Sequence, residues 1–283
     1  MEKSRKHSLI LFAAVVIGIV LAITATDLFV VVSPAQETGK QALTPLQIEI
    51  DKQRLRLGSA EIEDRREALM QLRSLQHPDA SRVALSALND PSAIVRATAA
   101  ESVLSLPPNE SVGSLVPLLS DKEEFVRQQV AYALGHTRSS AAVAALIERL
   151  TDKKDSVRGA AAVALGQIAD ATAVTSLAAV LNPQAGLTPS KKNKSKREQN
   201  PFVLRAAAHS LGQIGNRAAL PALILLLQDE KAEDDVRREA AFALGAIGDA
   251  SAVPALRSVL MTRDPYLSQA AHEAIRKISR TQS

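Results

Sequence analysis

The chain has 283 residues, 23% of them charged, a formal net charge of +4 and no cysteine. Without cysteine there is no disulfide, no cysteine nucleophile and no cysteine-ligated metal, and so mild a charge argues against nucleic acid as a partner. Hydrophobic content of 46% with only 2% aromatics excludes a disordered chain and points to a core of small aliphatic side chains.

Residues 1–8 read as a basic N-terminal tail carrying Lys3, Arg5 and Lys6. Residues 9–32 follow, uncharged from Leu9 to Thr26, broken by Asp27 and resumed at Leu28–Val32. That length is enough to cross a bilayer and exceeds the apolar stretch of most cleavable leaders. The expectation is therefore a transmembrane signal anchor, with a cleaved signal peptide as the competing reading. The three basic residues ahead of it, against Lys40 alone shortly after it, predict a single-pass membrane protein. Its N-terminus would be cytoplasmic and the rest extracytoplasmic, on the periplasmic or external side of the cell membrane. Residues 33–45, with Pro34, Gly39 and Pro45, read as a linker.

From residue 46 to 283 the text repeats. Leu46–Leu57 is expected to be a capping helix, and Glu61–Leu75 to begin the array. In the stretch Ser156–Asp170, Val157, Ala161, Leu165 and Ile168 fall on one helical face, which must be buried. Similar text returns from Val126, Val203 and Val236. Arg65, Arg96, Arg127 and Arg158 lie 31 residues apart, as do Gly135 and Gly166. Seven copies can be written, the last with Ser268 in the arginine column and the fifth with Leu204 there. Second apolar helices follow at Ala141–Leu150, Ala173–Leu181, Ala218–Leu227 and Ser251–Leu260. Two helices per repeat, neither able to bury its stripe alone, predict stacked helical hairpins. Pro107-Pro108 ends one copy early, and Pro221 and Pro254 fall early in their helices, where a missing N–H costs least. Gly215 and Gly248 sit where a left-handed helix cap is expected. Residues 183–200 break the period as a basic inserted loop holding Lys191, Lys192, Lys194, Lys196 and Arg197. It reads as a solvated loop or as a patch for an acidic partner or anionic lipid head groups.

The text D-x5-V-R-x-x-A-A-x-A-L-G at Asp121/Arg127 and Asp152/Arg158, with Asp90/Arg96 a weaker copy, resembles HEAT repeats, most closely the HEAT-like repeats of the phycobilisome lyase type. The resemblance covers roughly residues 46–283. It implies an all-α fold, an α-solenoid of stacked hairpins, here preceded by one transmembrane helix. It also implies that Asp90, Arg96, Asp121, Arg127, Asp152 and Arg158 form a structural ladder along the array. A guanidinium suits that role because it can bond a carboxylate and loop carbonyls together. Some HEAT-like enzymes, the deoxyhypusine hydroxylases, hold two irons with repeated His-Glu pairs; only His272-Glu273 has that form here, so no metal is expected. Neither a catalytic residue nor a cofactor is assigned.

Opposite the core stripe, three columns of the repeat helix vary, and by resemblance that helix lines the concave face. The candidate partner-binding groove comprises Gln128, Tyr132, His136, Arg205, His209, Gln213, Arg238 and Phe242. The expected function is a membrane-tethered, non-enzymatic scaffold or adaptor that binds a protein or peptide partner there, the membrane being engaged through residues 9–32. The alternative is a lyase-like enzyme or chaperone acting on a chromophore-bearing protein.

Overall fold

Hairpins of two short helices, stacked side by side, make up the described part of the protein. The computed structural model describes residues 43–182 and 200–281, and no strand occurs among them. In chain order the helices are α1 (Pro45–Arg56), α2 (Ile62–Ser74), α3 (Pro78–Ala84), α4 (Ala93–Ser102), α5 (Pro108–Leu115), α6 (Glu124–His136) and α7 (Val143–Arg149). They continue as α8 (Asp155–Ile168), α9 (Val174–Leu181), α10 (Pro201–Ile214), α11 (Leu220–Gln228), α12 (Asp234–Ile247), α13 (Val253–Ser258) and α14 (Pro265–Thr281). The even-numbered helices from α2 to α14 carry the repeated text, and each packs on the next to form one layer. The odd-numbered helices form the second layer, seen in the contacts α1–α3, α9–α11 and α11–α13.

The core lies between the layers. In α8, Val157, Ala161 and Leu165 are wholly buried and Ile168 is half-buried. The same columns supply Leu134, Leu211 and Leu244 from neighbouring helices. Burying each leucine is worth about 2 kcal/mol. Alanine elsewhere in the layer keeps the helices close. A glycine column brings them closer still: a Cβ at Gly135 would lie 2.8 Å from Ala164 Cα, at Gly212 2.9 Å from Ala243 Cα, and at Gly245 2.8 Å from Ala274 Cα. A Cβ on the glycine does not fit in those gaps, so A-L-G in the repeat text is the signature of close backbone packing.

Caps set the helix ends. Thr44 and Gln47 close a capping box on α1, with Pro45 in its first turn. Asn200 caps α10 through the Phe202 N–H, and Pro201 follows it. Gly215 and Gly248 end α10 and α12 at φ 71° and 76°, the left-handed conformation expected of them. Ala169 ends α8 in the same way at φ 59° without glycine's freedom. The second helices are shorter than their apolar text. Three-residue 3-10 turns at Ser140–Ala142, Ala171–Ala173, Arg217–Ala219 and Ala250–Ala252 precede α7, α9, α11 and α13. In the last three, an Asp or Asn side chain accepts the N–H two residues on and tightens the turn.

The expected transmembrane helix needs correction. Among the described residues no helix is long and apolar enough to cross a membrane. The longest, α14, has 17 residues, about 25 Å at 1.5 Å per residue, and carries Arg276, Lys277 and Arg280. Residues 9–32, from which the anchor was read, lie outside the described residues. Among the described residues the fold is a helical-repeat solenoid, and none of its helices supports the single-pass localisation and membrane engagement inferred from the anchor.

Candidate functional site

Two arrangements of polar side chains distinguish this solenoid, one buried at the hairpin loops and one exposed on the repeat-helix layer.

At the loops, Arg65 Nε and Nη2 donate to Asp90 at 2.7 and 3.0 Å. Arg96 repeats this on Asp121 at 2.8 and 2.9 Å, and Arg127 on Asp152 at 2.9 and 3.0 Å. The remaining nitrogen of each guanidinium donates to two carbonyls of its own loop, as Arg96 Nη1 does to Asp90 and Pro91. Each aspartate also accepts a backbone N–H two residues on: Ser92, Glu123 and Lys154 respectively. One carboxylate thus shapes its own turn and ties that turn to the preceding repeat. Burial pushes the Asp90, Asp121 and Asp152 carboxyls up, but the guanidinium, the backbone N–H and the surrounding positive charge outweigh it and hold all three below the usual carboxylate range. The chain of pairs stops at Arg158, which donates to the Asp152 carbonyl and pairs with Asp155 on its own helix. Asp155 in turn accepts from Asn200 Nδ2 at 2.8 Å across the insertion.

On the exposed face, Arg205 pairs with Asp235 at 2.6 Å and His209 Nδ1 with Glu239 at 2.8 Å. These rungs join α10 to α12. Arg238 lies over the Tyr266 ring, 5.6 Å from its centroid, and 3.6 Å from Asp264. Phe242, one turn further along α12, is 47% exposed and Tyr266 is 65% exposed. Gln213 and His136 are also exposed. Gln128 and Tyr132 are half-buried, and Tyr132 packs against the hydrophobic core. The structure therefore groups Arg205, His209, Gln213, Arg238 and Phe242 on adjoining helices, with Gln128, Tyr132 and His136 further back along the layer on α6.

An open depression of about 500 Å³ lies between α10, α12 and α14, with His209, Phe242 and Lys277 among its walls. Sequence reading missed Asp235, Glu239 and Tyr266, which are 30 or so residues from the side chains they meet. The signal was there in principle: each lies about one repeat beyond its partner. The basic residues Lys191, Lys192, Lys194, Lys196 and Arg197 lie outside the described residues. Among the described residues, no cluster of three or more His, Asp or Glu is placed to hold a metal ion.

Family models match the chain along much of this array. The HEAT repeat model matches residues 112–187 and 230–283, and the PBS lyase HEAT-like repeat model matches residues 203–229. No curated protein sequence matches the chain. Among solved structures, the Escherichia coli protein YibA is 22% identical, with a TM-score of 0.56, covering 83% of this chain and 82% of its own. The complex of CpcE and CpcF of phycocyanin lyase from Nostoc sp. PCC7120 is 20% identical at a TM-score of 0.48, covering 89% and 93%. Human deoxyhypusine hydroxylase is 19% identical at 0.36, covering 82% and 96%. At these identities the likeness to YibA bears on the fold alone. The repeat text, the stacked hairpins and the family models agree, and the chain belongs to the HEAT-like repeat proteins, with repeats of the phycobilisome lyase type.

Proposed function

We propose that this protein is a non-enzymatic scaffold or adaptor that holds a protein or peptide segment along the exposed face of its repeat helices. The observation that carries the reading is the grouping of Phe242, Arg238 and Tyr266 beside an open depression. Exposed aromatics and arginine next to a recess are what binding hot spots are made of, and a folded chain with 2% aromatics has few to leave in water. The groove comprises Gln128, Tyr132, His136, Arg205, His209, Gln213, Arg238 and Phe242. The Arg205–Asp235 and His209–Glu239 rungs support it by holding long side chains in place before a partner arrives, which lowers the ordering cost of binding.

Affinity capture with the intact chain, followed by mass spectrometry, tests this. A protein retained by the wild type and lost with Phe242→Ala plus Arg238→Ala supports the groove. A partner retained equally by both chains contradicts it. The second reading, a lyase-like enzyme or chaperone for a chromophore-bearing protein, is favoured by the repeat type matched at 203–229. Its signature is a coloured adduct that co-purifies with the protein.

A further inference from the structure

Resting on that groove reading, we infer that the depression between α10, α12 and α14 is a slot for an arginine side chain of the partner. It exists because one residue is small. Where α6 meets α8, Gln167 Oε1 fills the space over Gly135, and where α8 meets α10, Gln213 Oε1 does the same over Gly166. Where α10 meets α12, Ala246 holds the glutamine's column and its Cβ stops 3.6 Å from the position a Cβ would take at Gly212. No glutamine oxygen caps this junction, and the depression opens beside Gly212 and Ala246.

The lining says what would fill it. Gly212, Ala243, Gly245, Ala246 and Ala274 make a floor that offers no polar side chain, and Phe242 stands beside it as an aromatic wall. Two carboxylates border this apolar surface. Glu239 is held by His209, and Glu273 accepts from Gln269 Nε2 at 3.0 Å. Lys277 is the lysine among the lining residues, so carboxylates outnumber full cations there. An anion would meet net repulsion, and a purely apolar side chain would strip water from two carboxylates without compensation. An arginine suits each part. Its methylenes lie on the small-residue floor, its guanidinium plane stacks on Phe242, and its N–H fork reaches carboxylate oxygens. A volume of about 500 Å³ accommodates the side chain with its flanking backbone.

The test uses amide NMR shifts of the intact chain titrated with N-acetyl-arginine methylamide. The same titration is run with the citrulline analogue, which keeps the shape without the charge, and with the norleucine analogue. The arginine probe should shift the Gly212, Phe242, Gly245 and Ala246 amides saturably and bind about five-fold tighter than citrulline, the contribution of a partly exposed ion pair. Glu239→Gln plus Glu273→Gln should bring the two probes within two-fold of each other. Ala246→Gln, which supplies the plug of the neighbouring repeats at a surface position, should abolish the shifts with the fold unchanged. Equal binding of arginine and norleucine, no saturable shift, or full binding to Ala246→Gln overturns the slot. A captured partner that survives Ala246→Gln yet is lost with Phe242→Ala plus Arg238→Ala also overturns the slot and leaves the groove standing. Survival of both sets of substitutions overturns the groove as well.

Discussion

The repeats before the insertion and those after it use the same core but different polar chemistry. From α2 to α8 the loops are tied by buried guanidinium–carboxylate pairs, with side chains no more than 12% exposed. From α10 onward the arginine column holds Leu204, Arg237 and Ser268. Asp229 still closes its turn through the Lys231 N–H, but Leu204 has nothing to offer it. Arg237 Nε donates to the Leu227 carbonyl instead, and its carboxylate contact with Asp234 is loose at 3.8 Å. Ser268 Oγ donates to the Leu260 carbonyl, one bond where arginine made four. The exposed face of the second half carries the Arg205–Asp235 ion pair and the His209–Glu239 contact, as that of the first half carries Arg73–Glu101. The contrast teaches that the ladder is a stability device that can be dropped. Where it is dropped, the Arg238–Tyr266 stack and Phe242 stand exposed on the face where partners can reach them.

The comparison can first be tested on what the halves share. Leu165 and Leu244 are both fully buried, so Leu165→Ala and Leu244→Ala should each cost about 2–5 kcal/mol by lost transfer energy and residual cavity. Urea unfolding followed by circular dichroism measures it, and a midpoint shift in only one half would show that the core is not common to both.

The ladder should then separate them. Arg127→Ala leaves the Asp152 carboxylate buried without its counter-charge and should cost about 3 kcal/mol. Arg237→Ala removes one firm bond to a carbonyl and should cost about 1 kcal/mol. Equal costs in the same unfolding experiment would erase the distinction between the halves.

Acid should do the same reversibly. The folded-state pKa values of Asp90, Asp121 and Asp152 are depressed. Their contribution is therefore complete above the unfolded value of about 3.9 and is lost as pH falls through the folded values. The slope is at most about 1.4 kcal/mol per pH unit for each carboxylate. Thermal midpoints measured from pH 6 to pH 3 should fall less steeply when all three aspartates are changed to asparagine; an unchanged slope would mean other groups carry the acid sensitivity.

The smallest expected effect lies at the boundary. Ala169 adopts the left-handed cap that Gly215 and Gly248 adopt without strain. Ala169→Gly should be stabilising by about 0.5–1 kcal/mol, the relief of the cap less the added freedom of the unfolded chain. A lower thermal midpoint would show the strain to be absent.

Much of this fold was legible. The 31-residue spacing of Arg65, Arg96, Arg127 and Arg158 gave the hairpin period, and the Val-Ala-Leu stripe gave the buried face, because helix geometry makes both periodic. The aspartate six residues before each arginine was visible, but its direction of bonding was not. With a period of 31, the aspartate six before one arginine is also 25 after the previous one. The structure uses the second relation for the carboxylate and the first for the backbone carbonyl. The 3-10 turns were hidden because Asp170, Asn216 and Asp249 act through side-chain bonds that apolar periodicity does not register. The slot was hidden for a similar reason: Ala246 looks like any other alanine until Gln167 and Gln213 are seen occupying its counterparts. The apolar run at residues 9–32, whose length and flanking charges pointed to an anchor, lies outside the described residues, and the described helices do not bear out the fold class built on it.

The central claim, that the repeat-helix face after the insertion recognises a partner, is tested most directly by titrating the captured partner against the wild type and the Phe242→Ala plus Arg238→Ala chain, with circular dichroism on the same samples. Each substitution should weaken binding by more than about 1 kcal/mol, the threshold that marks a hot spot, with helicity unchanged. Unchanged affinity in the double variant, with the fold intact, would contradict the account.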